Sequence, residues 1–223
     1  GLFSHSEEKL QKLTVPFVFS AVGSIPESIN KNSYSSISVD DRKESARMVD
    51  YLIGLGHTKI AILIAEAEEQ SIGKLRLEGY CDSLKAHGIA VNPKLVCQTD
   101  DGLGHFSMEN GYLTTKKLLE SREPFTALYA VADALAIGAL RALHEAGMEV
   151  PRDVSIAGYD GIDMANYTVP SLTTMHQPVE EMAKATTKLL FNIIAGRAEQ
   201  HQHITYKAEL VIKESTDYAM QTK

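Results

Sequence analysis

The stretch ALYAVADALAIGALRALHEAGMEVPRDVSIAGYD, residues 127–160, carries the reading of the fold. Ala127–Ala130 is an apolar run too short for a helix and suited to a buried strand. Asp133 stands where a helix N-cap belongs, and Ala134–Ala146 continues at helical spacing. Gly147 follows as the residue that can stop a helix in a left-handed conformation. Val154–Ala157 is a second short apolar run. A strand, a helix and a second strand in this order form the unit from which parallel sheets are built.

The same alternation extends in both directions. Further candidate strands are Val15–Phe19, Ile37–Val39, Ile60–Ile64, Leu95–Cys97 and Thr173–Met175. Ser4-His5-Ser6-Glu7 is a capping box ahead of Leu10 and Leu13. Asp41 and Glu44 can cap a helix carrying Ala46, Val49, Leu52 and Ile53, which Gly56 ends. Helices are also expected over Leu75–His87 up to Gly88, over Ser107–Leu119 before Pro124, and over the amphipathic Val179–Ile194 up to Gly196. The pattern predicts an α/β fold with parallel sheets covered by helices on both faces. Ile204–Ile212 alternates instead and reads as an edge strand or hairpin. No Gly/Ser linker is present, so two lobes would have to be joined by ordinary strand-to-helix crossovers.

Composition narrows the partners. The 223 residues are enough for one large domain or two small ones. The 22 Lys and Arg against 29 Asp and Glu give a net charge of −7, which does not draw a polyanion or an anionic membrane surface to this segment. No apolar run approaches the about 18 residues of a membrane span. The start, Gly1-Leu2-Phe3-Ser4, lacks a basic signal-peptide region, and its lack of Met suggests a piece of a longer protein. Two cysteines, Cys81 and Cys97, rule out a disulfide scaffold and fit a reducing compartment.

Enzyme signatures are missing. Gly102-Leu103-Gly104 has no third glycine in place, and neither a P-loop nor a G-x-S-x-G elbow occurs. His201-Gln202-His203 reads as solvated polar residues before it reads as metal ligands, and His57 beside Gly56 reads as a helix-end cap. Asp40-Asp41, Glu68-Glu69 and Asp100-Asp101 are adjacent pairs of the kind found in turns and caps. No cofactor, metal or catalytic residue is expected.

Ligands of open parallel sheets bind outside the carboxyl ends of the strands. Residues just beyond those ends are Asp133, Asp160 within Ala157-Gly158-Tyr159-Asp160, Gln177, Arg76 near the start of a helix, and Phe106 after an acidic loop. A carboxylate, a guanidinium, an amide and an aromatic face suit a polyhydroxylated small molecule. Each also has a plainer reading. Asp133 can be a helix N-cap, Phe106 a core anchor, Arg76 a surface partner of Glu78, and Asp160 the centre of an Asx-turn.

Six segments resemble the effector-binding core of LacI/GalR-family transcriptional regulators. They are Leu52–Ala61 (LIGLGHTKIA), Arg76–Tyr80 (RLEGY), Asp133–Leu143 (DALAIGALRAL), Gly147–Asp160 (GMEVPRDVSIAGYD), Pro170–Pro178 (PSLTTMHQP) and Ile212–Thr216 (IKEST), in the family's order and spacing. The resemblance implies a periplasmic binding protein-like type I fold, two Rossmann-like lobes joined by three crossovers. It implies one lobe from 1–39 plus 174–200, truncated at its start, and another from 40–173 plus 201–223. A helix-turn-helix headpiece lies upstream in the family and is absent from these residues. Arg76, Asp160, Phe106, Gln177 and Asp133 are implied as the ligand-binding set. The family dimerises through this core, so a homodimer is implied, with Leu135–Leu143 apolar enough for core or interface. The resemblance further implies a cytoplasmic protein that meets operator DNA only through the headpiece. Two departures stand out. Ala132-Asp133 replaces the family's Asn-Asp, and Thr99–His105 is a longer loop than usual. A solute-binding protein serving a transporter or chemoreceptor is the alternative on the same fold.

Overall fold

A computed structural model describes residues 13–21, 34–65, 71–100, 102–197 and 201–220. The capping box at Ser4 lies outside the described residues. The chain runs β1 (Val18–Ser20), β2 (Ser35–Val39), α1 (Asp41–Gly54), β3 (Ile60–Ile64), α2 (Ile72–Ala86), β4 (Val96–Gln98), α3 (Met108–Glu120), β5 (Ala127–Ala130), α4 (Asp133–Glu145), β6 (Ser155–Asp160), β7 (Thr173–His176), α5 (Val179–Ile194), β8 (His203–Tyr206) and β9 (Glu209–Val211).

These strands form two sheets. The larger has the order β4-β3-β5-β6-β7-β9 and is parallel except for β9, which pairs antiparallel with β7. The smaller has the order β1-β2-β8, all parallel. Every residue of β3 and β5 is buried, as continuous apolar runs require when helices cover both faces. Successive residues of β6 point opposite ways: Tyr159 lies under Arg76 of α2, whereas Gly158 faces Asp133 of α4. Helices α3 and α4 approach closely at paired glycines. A Cβ on Gly138 would sit 1.9 Å from the Met108 carbonyl oxygen, and one on Gly111 would sit 2.1 Å from that of Leu135. Gly56, at φ +90°, ends α1 as expected: its N–H donates to Ile53 and that of His57 to Leu52, the two bonds of a Schellman cap.

Among the described residues the chain passes between the sheets three times, at Val39–Asp41, at His176–Val179 and at Tyr206–Glu209. Two expected boundaries move. All of β7 belongs to the larger sheet, so the second crossing follows His176 rather than residue 173. Residues 201–206 belong with the smaller sheet, because Ser36–Val39 pair with His203–Tyr206. The alternating Ile204–Ile212 segment is therefore neither one edge strand nor a hairpin. It is the edge strand of one sheet followed by that of the other. The buried Ala208 marks the passage, its carbonyl accepting 3.0 Å from Arg47 Nη1.

Two helix starts also differ. Asp40, not Asp41, caps α1 by accepting from the Lys43 N–H at 3.1 Å, and Ala132 occupies the N-cap of α4 without a side-chain bond. The two aspartates read as caps are thereby released for other contacts. Leu135, Ala136, Ala139, Ala142 and Leu143 of α4 are buried in the core.

Candidate functional site

A cavity of about 210 Å³ opens at the carboxyl ends of the strands, where the two sheets meet. Ala21 and Val39 line it from the smaller sheet, and Asp41, Ile72, Arg76, Phe106 and Asp160 from the larger unit. Gln177 lines it from the second crossing.

Arg76 is the centre. Helix α2 begins at Ile72, capped by Ser71 accepting from the Lys74 N–H, and this places Arg76 one turn in, facing the sheet. The residue is 3% exposed. Its Nε and Nη2 each lie 2.8 Å from Asp41 Oδ1. Nη1 donates to the Val131 carbonyl at 2.5 Å and to Asp160 Oδ1 at 3.4 Å. The guanidinium carbon stands 3.6 Å from the Tyr159 ring centroid. Burial alone would lower the arginine's pKa, but the charges of Asp41 and Asp160 outweigh it and hold the group cationic. The surface pairing with Glu78 does not form: Glu78 instead meets Arg42 at 3.1 Å.

Asp160 ends β6 with φ +119°, a conformation that side chains rarely adopt and that costs backbone strain. Gln177 clasps it twice. Its N–H donates to the Asp160 carbonyl at 3.0 Å and its Nε2 to Oδ1 at 2.9 Å. Burial raises the Asp160 carboxyl, and Arg76 and Gln177 oppose that shift. The carboxylate faces the cavity rather than closing an Asx-turn.

The turn after Asp160 is held from below by Asp133. This residue is fully buried, does not line the cavity, and caps nothing. Its Oδ2 accepts from the Gly161 and Ile162 N–H groups at 2.7 and 2.9 Å, and its Oδ1 from the Thr174 hydroxyl at 2.6 Å. Burial pushes its carboxyl up to about 6 against those hydrogen bonds. Asp133, expected in the ligand-binding set, thus lies outside the cavity lining and bonds the turn that follows Asp160.

Phe106 stands at the edge of the cavity. It packs partly buried against the core and also walls the cavity. Two features set its place. Ser107 caps α3 directly behind it, and the buried Asn110 ties down the preceding loop by donating to the Asp100 and Leu103 carbonyls at 2.8 and 3.1 Å. Reading the sequence missed Asp41 and Tyr159. Asp41 stands two residues beyond the end of β2, so the strand-end rule would have placed it near the cavity without showing that it pairs with Arg76.

His57 is a further correction. It is buried and bonds Thr126 Oγ1 at 2.9 Å, Ser155 Oγ at 3.2 Å and the Asp217 carbonyl at 3.0 Å. Burial lowers its pKa, so it is a neutral tie and not a cationic helix cap. Among the described residues no group of His, Cys, Asp and Glu is placed to hold a metal ion, and no helix is long and apolar enough to cross a membrane.

Comparison with known proteins gives consistent matches. The family model of the periplasmic binding protein-like domain matches residues 49–216. The HTH-type transcriptional regulator MalR of Clostridium butyricum is 33% identical over 209 residues, which are 94% of this chain and 60% of MalR. The structure of a LacI family transcriptional regulator from Enterococcus faecium with bound ribose is similar with a TM-score of 0.81 at 30% identity, covering 96% of this chain and 75% of that one. The Escherichia coli transcriptional repressor ascG gives 0.79 at 32% identity, covering 95% and 73%. This chain spans between about half and three fifths of the curated relatives it matches, 48% to 60% of their length.

Proposed function

The chain belongs to the periplasmic binding protein-like family of LacI-type regulators, and from that premise we propose that it is the effector-binding core of a transcriptional regulator. A small polyhydroxylated molecule, a sugar or a sugar-like metabolite, enters the cavity between the two units. Its hydroxyls donate to Asp160 and accept from Gln177 and Arg76, and its C–H face rests on Phe106. The ligand touches both units, so it stabilises the arrangement in which they are close. The difference in its affinity for the closed and open arrangements is the whole energy source of the switch. In the intact protein the core forms a homodimer in the cytoplasm, and closure alters how two headpieces meet operator DNA. No reaction is catalysed.

The observation that carries this reading is the convergence of Arg76, Phe106, Asp160 and Gln177 on one cavity bordered by both sheets. The relatives being named transcriptional regulators, one of them holding ribose, supports the choice of function on this fold. The test is a thermal-stability titration with sugars and nucleosides. A ligand at a hundred times its dissociation constant raises stability by about 2.7 kcal/mol. Arg76→Gln and Asp160→Ala abolish that shift if the site is right. A shift that survives both substitutions refutes the site.

A further inference from the structure

An arginine at the bottom of a cavity, flanked by helix N-termini, is ordinarily a receptor for phosphate or carboxylate. The starts of α1 and α2 both border this cavity, through Asp41 and Ile72. Yet the anion such a place attracts is already supplied by the chain. Asp41, 4% exposed, takes Nε and Nη2 of Arg76, and Val131 and Asp160 take Nη1. Of the five N–H groups of a guanidinium, these contacts leave one on Nη2.

We infer that Asp41 determines specificity: by neutralising Arg76 from within, it restricts the cavity to uncharged ligands and turns away phosphorylated or carboxylated ones. This deepens the proposed function and rests on the cavity being the ligand site. The lining holds one cation, Arg76, against two carboxylates, Asp41 and Asp160, among the described residues. A phosphate brings only acceptors and negative charge. It finds one remaining arginine N–H and the Gln177 amide as donors, and two carboxylates that repel it. A neutral polyol carries its own donors, which Asp160 accepts. Within the described contacts Asp160 uses only Oδ1, so Oδ2 remains as an acceptor edge.

Asp41→Asn is the direct test, since asparagine keeps an oxygen for Arg76 while removing the charge. The probes are ribose, cellobiose and adenosine, each paired with a phosphate monoester, titrated calorimetrically into wild type, Asp41→Asn and Arg76→Gln, with circular dichroism confirming each fold. The expected result is that wild type binds an uncharged probe at least 100-fold more tightly than its ester, and that Asp41→Asn narrows the gap at least tenfold. Equal or tighter binding of the ester by wild type, lost in Arg76→Gln, overturns the inference and leaves the site standing. Binding that neither substitution alters refutes the site itself, and the inference with it. Inorganic phosphate, followed by phosphorus NMR line broadening, is the arm that needs no effector. Broadening with Asp41→Asn alone is expected, and broadening with both proteins or with neither overturns the inference.

Discussion

The larger sheet buries polar groups at both ends, and the two ends are built differently. At the amino ends of β3, β5 and β6, His57 joins Thr126, Ser155 and the carbonyl of Asp217 in a neutral cluster that fastens the C-terminal segment to the sheet. At the carboxyl ends, Arg76, Asp41 and Asp133 put ionisable groups under cover, beside the partly exposed Asp160 with its backbone at φ +119° and an open cavity. A cavity of about 640 Å³ also lies at the amino ends, lined by Gly54, Lys59, Thr126, Tyr218 and neighbours, but Lys59 is its one charged lining residue among the described residues. Volume therefore does not identify the site. Buried charge and backbone strain support the proposed site instead, because both are costs that satisfied neutral hydrogen bonds would avoid.

The largest expected effect comes from Arg76→Ala. It strands Asp41 in a buried position without its cation, which costs about 3–5 kcal/mol, and it abolishes ligand binding. Denaturant unfolding and ligand titration measure the two losses separately. Asp133→Ala comes next. It leaves two N–H groups and the Thr174 hydroxyl without their acceptor, for about 3 kcal/mol, and weakens ligand binding through the loosened Asp160 turn. Asp133→Asn, which can accept from the turn and donate to Thr174, stays within about 1 kcal/mol of wild type in the same assay. Equal losses for both variants would mean that charge, not bonding, is what the turn requires.

His57→Ala sharpens the contrast from the opposite end. It costs about 2 kcal/mol in unfolding experiments and leaves ligand affinity unchanged. A change in affinity would break the division between a structural and a functional end. The two ends also differ in pH response. The pKa of His57 is lower in the folded chain than in the unfolded one, so its contribution is full above about pH 6.5 and is lost as the pH falls. The carboxyl of Asp133 is raised from 3.8 to about 6, so its contribution is full on the acid side and is lost as the pH rises across that interval. Measured across this range, the unfolding free energy of wild type relative to His57→Ala falls on the acid side, while the opposite Asp133 trend is common to both proteins. Phe106→Ala weakens binding of an uncharged sugar about tenfold, about 1.4 kcal/mol, in a calorimetric titration.

The carboxyl-end architecture was legible because strand ends leave a simple signature. Ile60–Ile64 and Ala127–Ala130 are bounded apolar runs, and both strands form with those limits. The four residues Arg76, Phe106, Asp160 and Gln177 could be picked out because each follows such a run or opens the next helix. Asp133 and Asp41 were not legible as what they are. A carboxylate in a helix's first turn looks the same in sequence whether it caps its own helix, holds a distant turn or neutralises an arginine on a neighbouring helix. The division of Ile204–Ile212 between two sheets was hidden for another reason. Lys207 and Ala208 carry neither the glycine nor the proline that usually punctuates such a passage, and alternation continues across it.

Function assigned to the carboxyl ends is tested most directly by a crystal structure of this chain with a sugar selected by thermal shift. The prediction is a ligand between the two sheets, with hydroxyls on Asp160 and Gln177 and a ring face against Phe106. A ligand seated instead at the amino ends, against Lys59 and Tyr218, would contradict it.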